Sequence, residues 1–359
     1  MANDPRDLNG QKLNAALLML GRDRQLRQEL VQWLKQAEQR IGYKGSVRDD
    51  ITGPIIDALH CDADVYEKTL ADGTQFQFFY RTKIARDFLL ATSETPTHVW
   101  EPQTTRLLKY LAAHSDSDVL VGGAYFGDHA VLLGRQLSES GRHVHCFEPN
   151  QAQAGMLLSN VALNGLDNLL IRKQGLWDEG SQKLRLDGFD SFANVVQVGA
   201  AEEGFETVTI DDYCADQGCH LSLIMLDIEG AELRALQGAT QTLRKDRPAI
   251  VFEVHRDYVD WSEGLLKTPI CVLLSSLGYH IFAVRDFNTN QEMGMLPIEL
   301  IPADHVYLEG PPHGFNMLAV LDETSLDRSL FKRVENVSPK LLRHKNPALH
   351  HPFDGMPGR

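Results

Sequence analysis

Long apolar runs are missing from this sequence: nowhere do eighteen apolar residues follow one another, so a bilayer-spanning helix is not expected. The first residues, Met-Ala-Asn-Asp-Pro-Arg-Asp, lack the basic stretch and following apolar segment of an export signal. Cysteine is sparse and scattered, at 61, 146, 214, 219 and 271, with no CxxC pair, which speaks against a disulfide framework or a structural zinc site. Reduced thiols in a cytoplasmic protein are the expectation. Positive charge is in deficit, with 35 Lys and Arg against 49 Asp and Glu and a net charge of -14. Broad attraction to nucleic acid or to an anionic membrane is not expected, because both reward basic surface. A neutral or weakly polar small-molecule partner fits better.

What is present is enough apolar material, 43% of 359 residues, to bury a sizeable core. From Asp118 onward, short apolar runs alternate with helical stretches, the mark of a parallel sheet covered on both faces. The strands read as Val119 to Val121, His143 to Phe147, Leu169 to Arg172, Leu221 to Leu226, Ala249 to Val254 and Tyr279 to Val284. Helices are expected from about Asp128, over Gln151 to Leu163, over Ala231 to Leu243 and around Ile270 to Leu277. Phe315 to Leu321 reads as a last, antiparallel strand. The proline-bearing stretch Asp286 to His313 that leads to it reads as a loop enclosing substrate.

Ahead of this α/β domain, leucines between Asn14 and Ile41 recur at helical spacing. Two strands, Val65 to Leu70 and Gln75 to Tyr80, flank Asp72-Gly73 as a hairpin, and Thr104 to His114 reads as a helix. Three segments are therefore expected. Residues 1-95 form a helix and hairpin extension, serving as a lid or as the contact of a homo-oligomer. Residues 96-323 form the main domain, and 324-359 a charged helix and tail.

The chemistry gathers at strand ends. In Asp118-Val-Leu-Val-Gly-Gly-Ala-Tyr-Phe-Gly127, glycines after a strand let the backbone turn sharply and approach a ligand. Gly122, Ala124 and Gly127 also imitate a degraded GxGxxG, which keeps a dinucleotide enzyme open as a reading. Glu148 closes the second strand about twenty-five positions later, where a carboxylate accepts both hydrogens of a ribose diol. An acid stabilised by a helix dipole is the lesser alternative, and nicotinamide enzymes use the same device.

The combination is more specific. Phe147-Glu-Pro-Asn150, Ala162-Leu-Asn-Gly165, Leu176-Trp-Asp178, Thr209-Ile-Asp-Asp212, Leu226-Asp-Ile-Glu-Gly-Ala-Glu232 and Phe252-Glu-Val-His255 occur in an order and spacing that resemble the FkbM family of methyltransferases, over roughly residues 118 to 321. The resemblance implies a class I methyltransferase fold, a Rossmann-like, doubly wound seven-stranded sheet whose last strand is antiparallel. It implies S-adenosylmethionine as cofactor and, usually, O-methylation of a hydroxyl on a sugar or natural-product scaffold. Carried onto this chain, the cofactor residues are Gly123, Ala124, Tyr125, Gly127, Glu148, Pro149, Asn150, Leu176, Trp177 and Asp227. The family's first motif has an acid and an asparagine where this chain has Val121 and Tyr125, so Glu101 or Asp128 must take over the methionine end of the cofactor.

Asp227, Glu229, Glu253 and His255 fall at the ends of the next two strands, where ligands of open sheets bind. Methyl transfer needs in-line placement and one base, and His255 is the first choice because the unperturbed value of a histidine lies near working pH, with Asp227 and Glu253 beside it. A structural role for His255, and a helix-start role for Glu229, are the bland alternatives. Asp227, Glu253 and His255 are also a candidate set for a divalent metal. The function expected is an S-adenosylmethionine-dependent O-methyltransferase acting on a sugar or natural-product-like hydroxyl. The alternative is a non-catalytic protein of the same fold that binds S-adenosylmethionine or S-adenosylhomocysteine.

Overall fold

The computed structural model describes residues 5–38, 40–44, 47–187, 194–197, 203–308, 314–326 and 329–341. The N-terminal segment carries α1 (Pro5–Gly21), α2 (Arg24–Glu38), α3 (Gly53–Ala58), a hairpin of β1 (Val65–Thr69) and β2 (Gln75–Phe79), and α4 (Lys83–Leu89). The single helix expected over Asn14 to Ile41 is two. Asp23 Oδ1 accepts the amides of Gln25 and Leu26 at 3.0 Å each, starting α2 afresh with a side-chain cap that the leucine spacing runs across.

The main domain runs α5 (Pro102–Ala113), β3 (Asp118–Gly122), α6 (Ala130–Leu137), β4 (Val144–Phe147), α7 (Gln151–Leu163) and β5 (Leu169–Arg172). A small sheet of β6 (Gly175–Leu176), β7 (Lys183–Asp187), β8 (Asn194–Gln197) and β9 (Phe205–Val208) follows. Then come α8 (Ile210–Gln217), β10 (Leu221–Leu226), α9 (Glu232–Gln237), α10 (Thr240–Lys245) and β11 (Ala249–Val254). The chain continues through α11 (Pro269–Ser276), β12 (His280–Arg285), β13 (Ile298–Pro302), β14 (Phe315–Val320) and β15 (Phe331–Arg333). No helix among the described residues is long and apolar enough to cross a membrane.

The large sheet has the order β15-β13-β12-β14-β11-β10-β3-β4-β5. β5, β4, β3, β10 and β11 are parallel neighbours, and β14 lies antiparallel between β11 and β12. These seven strands are the expected set, but the sheet has nine. β13 adds to the β12 edge inside the stretch read as a loop, because Pro297 precedes its run of five buried residues and Pro302 ends it, so neither interrupts it. β15 adds to β13 where a charged helix was expected: Phe331 turns inward against the Tyr110 ring, centroids 4.9 Å apart, while Lys332 and Arg333 face out. The rest of the expected tail, 342–359, lies outside the described residues.

The central strands are buried on both faces, and alternate residues feed two cores. Val119, Val121, Leu223, Met225 and Val251 join the core that holds α5, α6, α7 and the hairpin phenylalanines Phe76 and Phe78. Leu120, Ile224, Leu226, Ile250 and Phe252 join the core under α8 to α11. The helix expected over Ala231 to Leu243 is divided at Gly238-Ala239, where the Asp211 carboxylate accepts the amides of Gln241 and Thr242, both at 2.8 Å, and starts α10.

The hairpin is stitched to α7 by two asparagines. Asn160 Oδ1 accepts from the Gln77 amide at 2.7 Å and its Nδ2 donates to the Gln77 carbonyl at 2.9 Å. Asn164, one turn on, repeats the pair with Gln75 at 2.9 and 2.7 Å. Two side-chain amides at i and i+4 thus meet β2 residues at i and i+2, as a neighbouring strand would.

Candidate active site

The carboxyl ends of β3, β4, β10 and β11 open into one cleft. After β3 the chain turns back on itself: the amides of Gly123 and Ala124 donate to the Phe147 carbonyl at 2.9 and 3.1 Å, and Gly123 has φ of 75°. A methyl group on Gly123 would overlap the Asp227 carbonyl oxygen, so this position needs glycine for space as well as for conformation. Tyr125 follows with φ of 48°, a left-handed conformation that asparagine enters more easily than tyrosine. Its hydroxyl lies 3.3 Å from Thr82 Oγ1, which ties the loop to the N-terminal segment.

Glu148 stands at the end of β4, held by backbone. One carboxylate oxygen accepts the Tyr125 amide at 2.8 Å and the other the Asn150 amide at 2.8 Å. Asn150 in turn caps α7, its Oδ1 accepting the amides of Ala152 and Gln153 at 3.0 and 3.2 Å. A carboxylate has about four acceptor positions, so two backbone bonds orient Glu148 without exhausting it. Pro149, Leu176 and Trp177 line the same side of the cleft, with Leu184 and Phe205 of the small sheet covering it.

The other side is acidic. Asp227 and Glu229 follow β10, Glu253 lies in β11, and Glu101 and Asp128 approach from the start of α5 and from the turn before α6. Burial raises Asp227 to about 6, Asp128 to about 7 and Glu229 to about 8. Burial likewise pushes Glu253 and Glu101 well above the usual carboxyl range, and neighbouring carboxylates add to it. Glu101 also accepts from Asn316 Nδ2 at 2.7 Å. It is not occupied in capping α5, because the Asp286 carboxylate takes the amides of Gln103 and Thr104 at 3.1 and 2.7 Å. A methyl on Gly314 would overlap the Glu253 carboxylate, so glycine there makes room for it.

Three of the six non-glycine residues with positive φ among the described residues, Glu101, Tyr125 and Glu229, line this cleft. Each such conformation costs about 1–3 kcal/mol and persists only where the surrounding structure enforces it.

Every site residue expected from the sequence except Ala124 and Gly127 borders the cleft; these two are buried in the loop beneath it. The candidate metal set is regrouped. Asp227, Glu229 and Glu253 bring one oxygen each within 4.8 Å of one another, and His255 is not in that group. His255 faces the cleft beside Tyr258, and its Nδ1 accepts the Asp257 amide at 3.1 Å. That bond places the proton of the neutral ring on Nε2.

The sequence reading missed His129, Thr82, Lys83, Ile84 and Asn288 in the lining. His129 Nδ1 lies 3.2 Å from Thr105 Oγ1, whose own proton goes to the Trp100 carbonyl at 2.9 Å, and burial lowers its value to about 4. Its place three residues into Gly127-Asp-His129, at the mouth of a ligand loop, was the available signal. Lys83 Nζ donates to Asp87 at 2.8 Å and to the Asn288 carbonyl at 2.7 Å and sits over the Trp100 ring, a contact no local pattern announces.

Seven strands in the order found here, one antiparallel between its neighbours, with a cleft at the carboxyl ends of the parallel ones, define a class I methyltransferase architecture. Residues 122–281 match the family model described as Methyltransferase FkbM domain, the family that the sequence motifs resemble. No curated protein matches the chain. Among solved structures, similarity extends to the methyltransferase FkbM from Methylobacillus flagellatus KT, at 13% identity over 57% of this chain and 43% of that one, with a TM-score of 0.35. It extends to the Pyrococcus abyssi tRNA (uracil-54, C5)-methyltransferase in complex with S-adenosyl-L-homocysteine, at 12% identity over 71% and 44%, TM-score 0.34. The precorrin-6y C5,15-methyltransferase from Geobacter metallireducens GS-15 is 12% identical over 61% and 87%, TM-score 0.34. The chain spans less than half the length of the first two.

Proposed function

We propose that the chain is an S-adenosylmethionine-dependent O-methyltransferase acting on a hydroxyl of a sugar or natural-product-like small molecule. What supports this most is the carboxyl-rich lining of the cleft: six such residues, Glu101, Asp128, Glu148, Asp227, Glu229 and Glu253, line it, and those that burial keeps protonated in the ligand-free chain give up their protons as a cation enters. A dinucleotide brings an anionic pyrophosphate and is repelled by such a lining. S-adenosylmethionine brings a sulfonium and an ammonium and is attracted by it, and the glycine-walled loop and backbone-held Glu148 suit its ribose and adenine. When bound it supplies an electrophilic methyl group.

In this reading Glu148 accepts the ribose diol, Leu176 and Trp177 flank the adenine with Pro149 and Asn150, and the Gly123 to Gly127 loop walls the nucleoside. Glu101 takes the methionine ammonium in place of the acid absent at Val121, whose side chain is buried in the core. Asp227 is the base. Its value of about 6 leaves it ionised at neutral pH, whereas Glu229 at about 8 keeps its proton. His255 donates from Nε2 to the acceptor oxygen, because its Nδ1 lone pair is already engaged. Asp227 therefore replaces His255 as first choice for the base, and Glu253 holds its proton beside it.

The test is calorimetric binding followed by turnover. S-adenosylmethionine should bind and NAD should not; the reverse overturns the cofactor. Formation of S-adenosylhomocysteine with a panel of sugars and polyhydroxylated scaffolds should follow, and binding without turnover on any acceptor would favour the non-catalytic alternative. Turnover should survive EDTA if Asp227, Glu229 and Glu253 serve the cofactor and the proton transfer alone. Loss in EDTA, restored by magnesium, would make Asp227, Glu229 and Glu253 a metal site instead.

A further inference from the structure

A second cluster of reactive groups lies at the opposite end of the sheet, where β3, β4 and β10 begin. His145, almost fully buried on β4, sits between Asp118 and Tyr213: its Nε2 is 3.1 Å from Asp118 Oδ2 and its Nδ1 is 2.8 Å from the Tyr213 hydroxyl. Helix α8 ends at Gly218, whose φ of 64° turns the chain back, and the Cys219 amide donates to the Cys214 carbonyl at 3.1 Å. This fold-back sets Cys219 beside Cys214 along the chain, and Cys219 shifts the titration of both Cys214 and His145 and is shifted by both. Cys214 is buried and also meets Thr242, while Cys219 is only half-buried.

We propose that Cys219 and Cys214 are an oxidisable dithiol: Cys219 reacts with a hydroperoxide, Cys214 resolves the product to a disulfide, and His145, held by Asp118, serves the proton transfers.

The electrostatics agree with the geometry. The hydrogen bond from the Cys214 thiol holds Cys219 well below the usual thiol range against the opposing effect of burial, and His145 adds to it. The same bond pushes Cys214 up. Burial also pushes Cys146 and Cys271 up, so neither shares this activation.

With hydrogen peroxide as oxidant the steps balance. The Cys219 thiolate attacks one peroxide oxygen, the S–O bond forms and the O–O bond breaks. The departing hydroxide takes the His145 imidazolium proton and leaves as water. Cys219, now a sulfenic acid, is attacked by Cys214; the S–S bond forms, the S–O bond breaks, and the hydroxide leaves as a second water with the Cys214 proton. The dithiol has lost two electrons and the peroxide has gained them.

The experiment treats the full, reduced chain with one equivalent of hydrogen peroxide and maps thiols by peptide mass spectrometry. The peptide containing Cys214 and Cys219 should lose two hydrogens while exposed Cys61 stays alkylatable. In Cys214→Ser, dimedone should label Cys219. A measurement needing no substitution guards against misfolding of that variant. Alkylation of an ordinary thiol quickens about 10²-fold between about pH 6 and about pH 8.5, whereas Cys219 should quicken less than about threefold. Oxidation of Cys61 with Cys214 and Cys219 left as thiols, or an ordinary pH dependence at Cys219, overturns the proposal.

Discussion

The two sides of the cleft hold their carboxyl groups under opposite conditions. Glu148 is fixed by two backbone amides that belong to the ligand loop and to the start of α7, so it is an oriented acceptor before any ligand arrives. Across from it, Glu101, Asp128, Asp227, Glu229 and Glu253 crowd together, and burial holds them partly or wholly protonated. One side is committed to geometry and the other to charge. In the proposed function the first receives a neutral diol, and the second is a store of protons that a cation displaces.

The comparison is broken most severely at Asp227. Asp227→Asn should lower kcat by about 10²–10⁴-fold, the range for loss of a general base, with cofactor affinity changed far less. Wild-type kcat should climb as pH rises through about 6 while Asp227 ionises, and a flat profile there would remove it as base. Glu148→Ala comes next, weakening S-adenosylmethionine by about 10²-fold as two charge-assisted bonds to the ribose are lost. Unchanged calorimetric affinity would end the ribose assignment. His255→Ala should reduce kcat about tenfold, the worth of one hydrogen bond, and leave the dissociation constant alone. Glu101→Gln should weaken S-adenosylmethionine about tenfold and adenosine hardly at all, since only the former carries the ammonium. Equal losses for both ligands would move the methionine end elsewhere.

The smallest effect is on stability. Asp128, Asp227, Glu229 and Glu232 have folded values raised to between about 6 and about 8, above the ordinary carboxyl value near 4. A raised carboxyl favours the folded state while protonated, so the ligand-free chain should lose stability as pH climbs from about 4 through about 8. A melting temperature falling by a few degrees across that window, and less so with S-adenosylmethionine bound, is expected; a rise would contradict it.

The parallel half of the fold was legible because its strands are covered on both faces. Leu169 to Arg172, Leu221 to Leu226 and Ala249 to Val254 end where their apolar runs end, and α7 spans Gln151 to Leu163 as its pattern indicates. What was not legible depended on partners distant in sequence. β13 is a strand because β12 and β15 flank it, with Glu299 paired inside to Arg285 at 2.7 Å, and its prolines read locally as loop. The short strands β6 to β9 carry no sustained alternation. In the site, Glu148 and Asp227 were readable from strand ends, but the proton position on His255 is set by the turn at Asp257, which no motif records. Lys83 and Asn288 border the cleft through a bond spanning 205 positions.

The asparagine pairs that fasten β2 to α7 join residues 83 and 89 positions apart. During synthesis the hairpin therefore leaves the ribosome well before its docking surface exists, by roughly 4–18 s at about 5–20 residues per second. For that interval the edge of β2 is an open strand, the kind of edge that recruits other chains. Nascent chains stalled before Asn160 are expected to be protease-sensitive at the hairpin and to bind a holdase chaperone, and chains extended past Asn164 to lose both properties together. A hairpin already protected in the shorter chains would show that its order does not await α7.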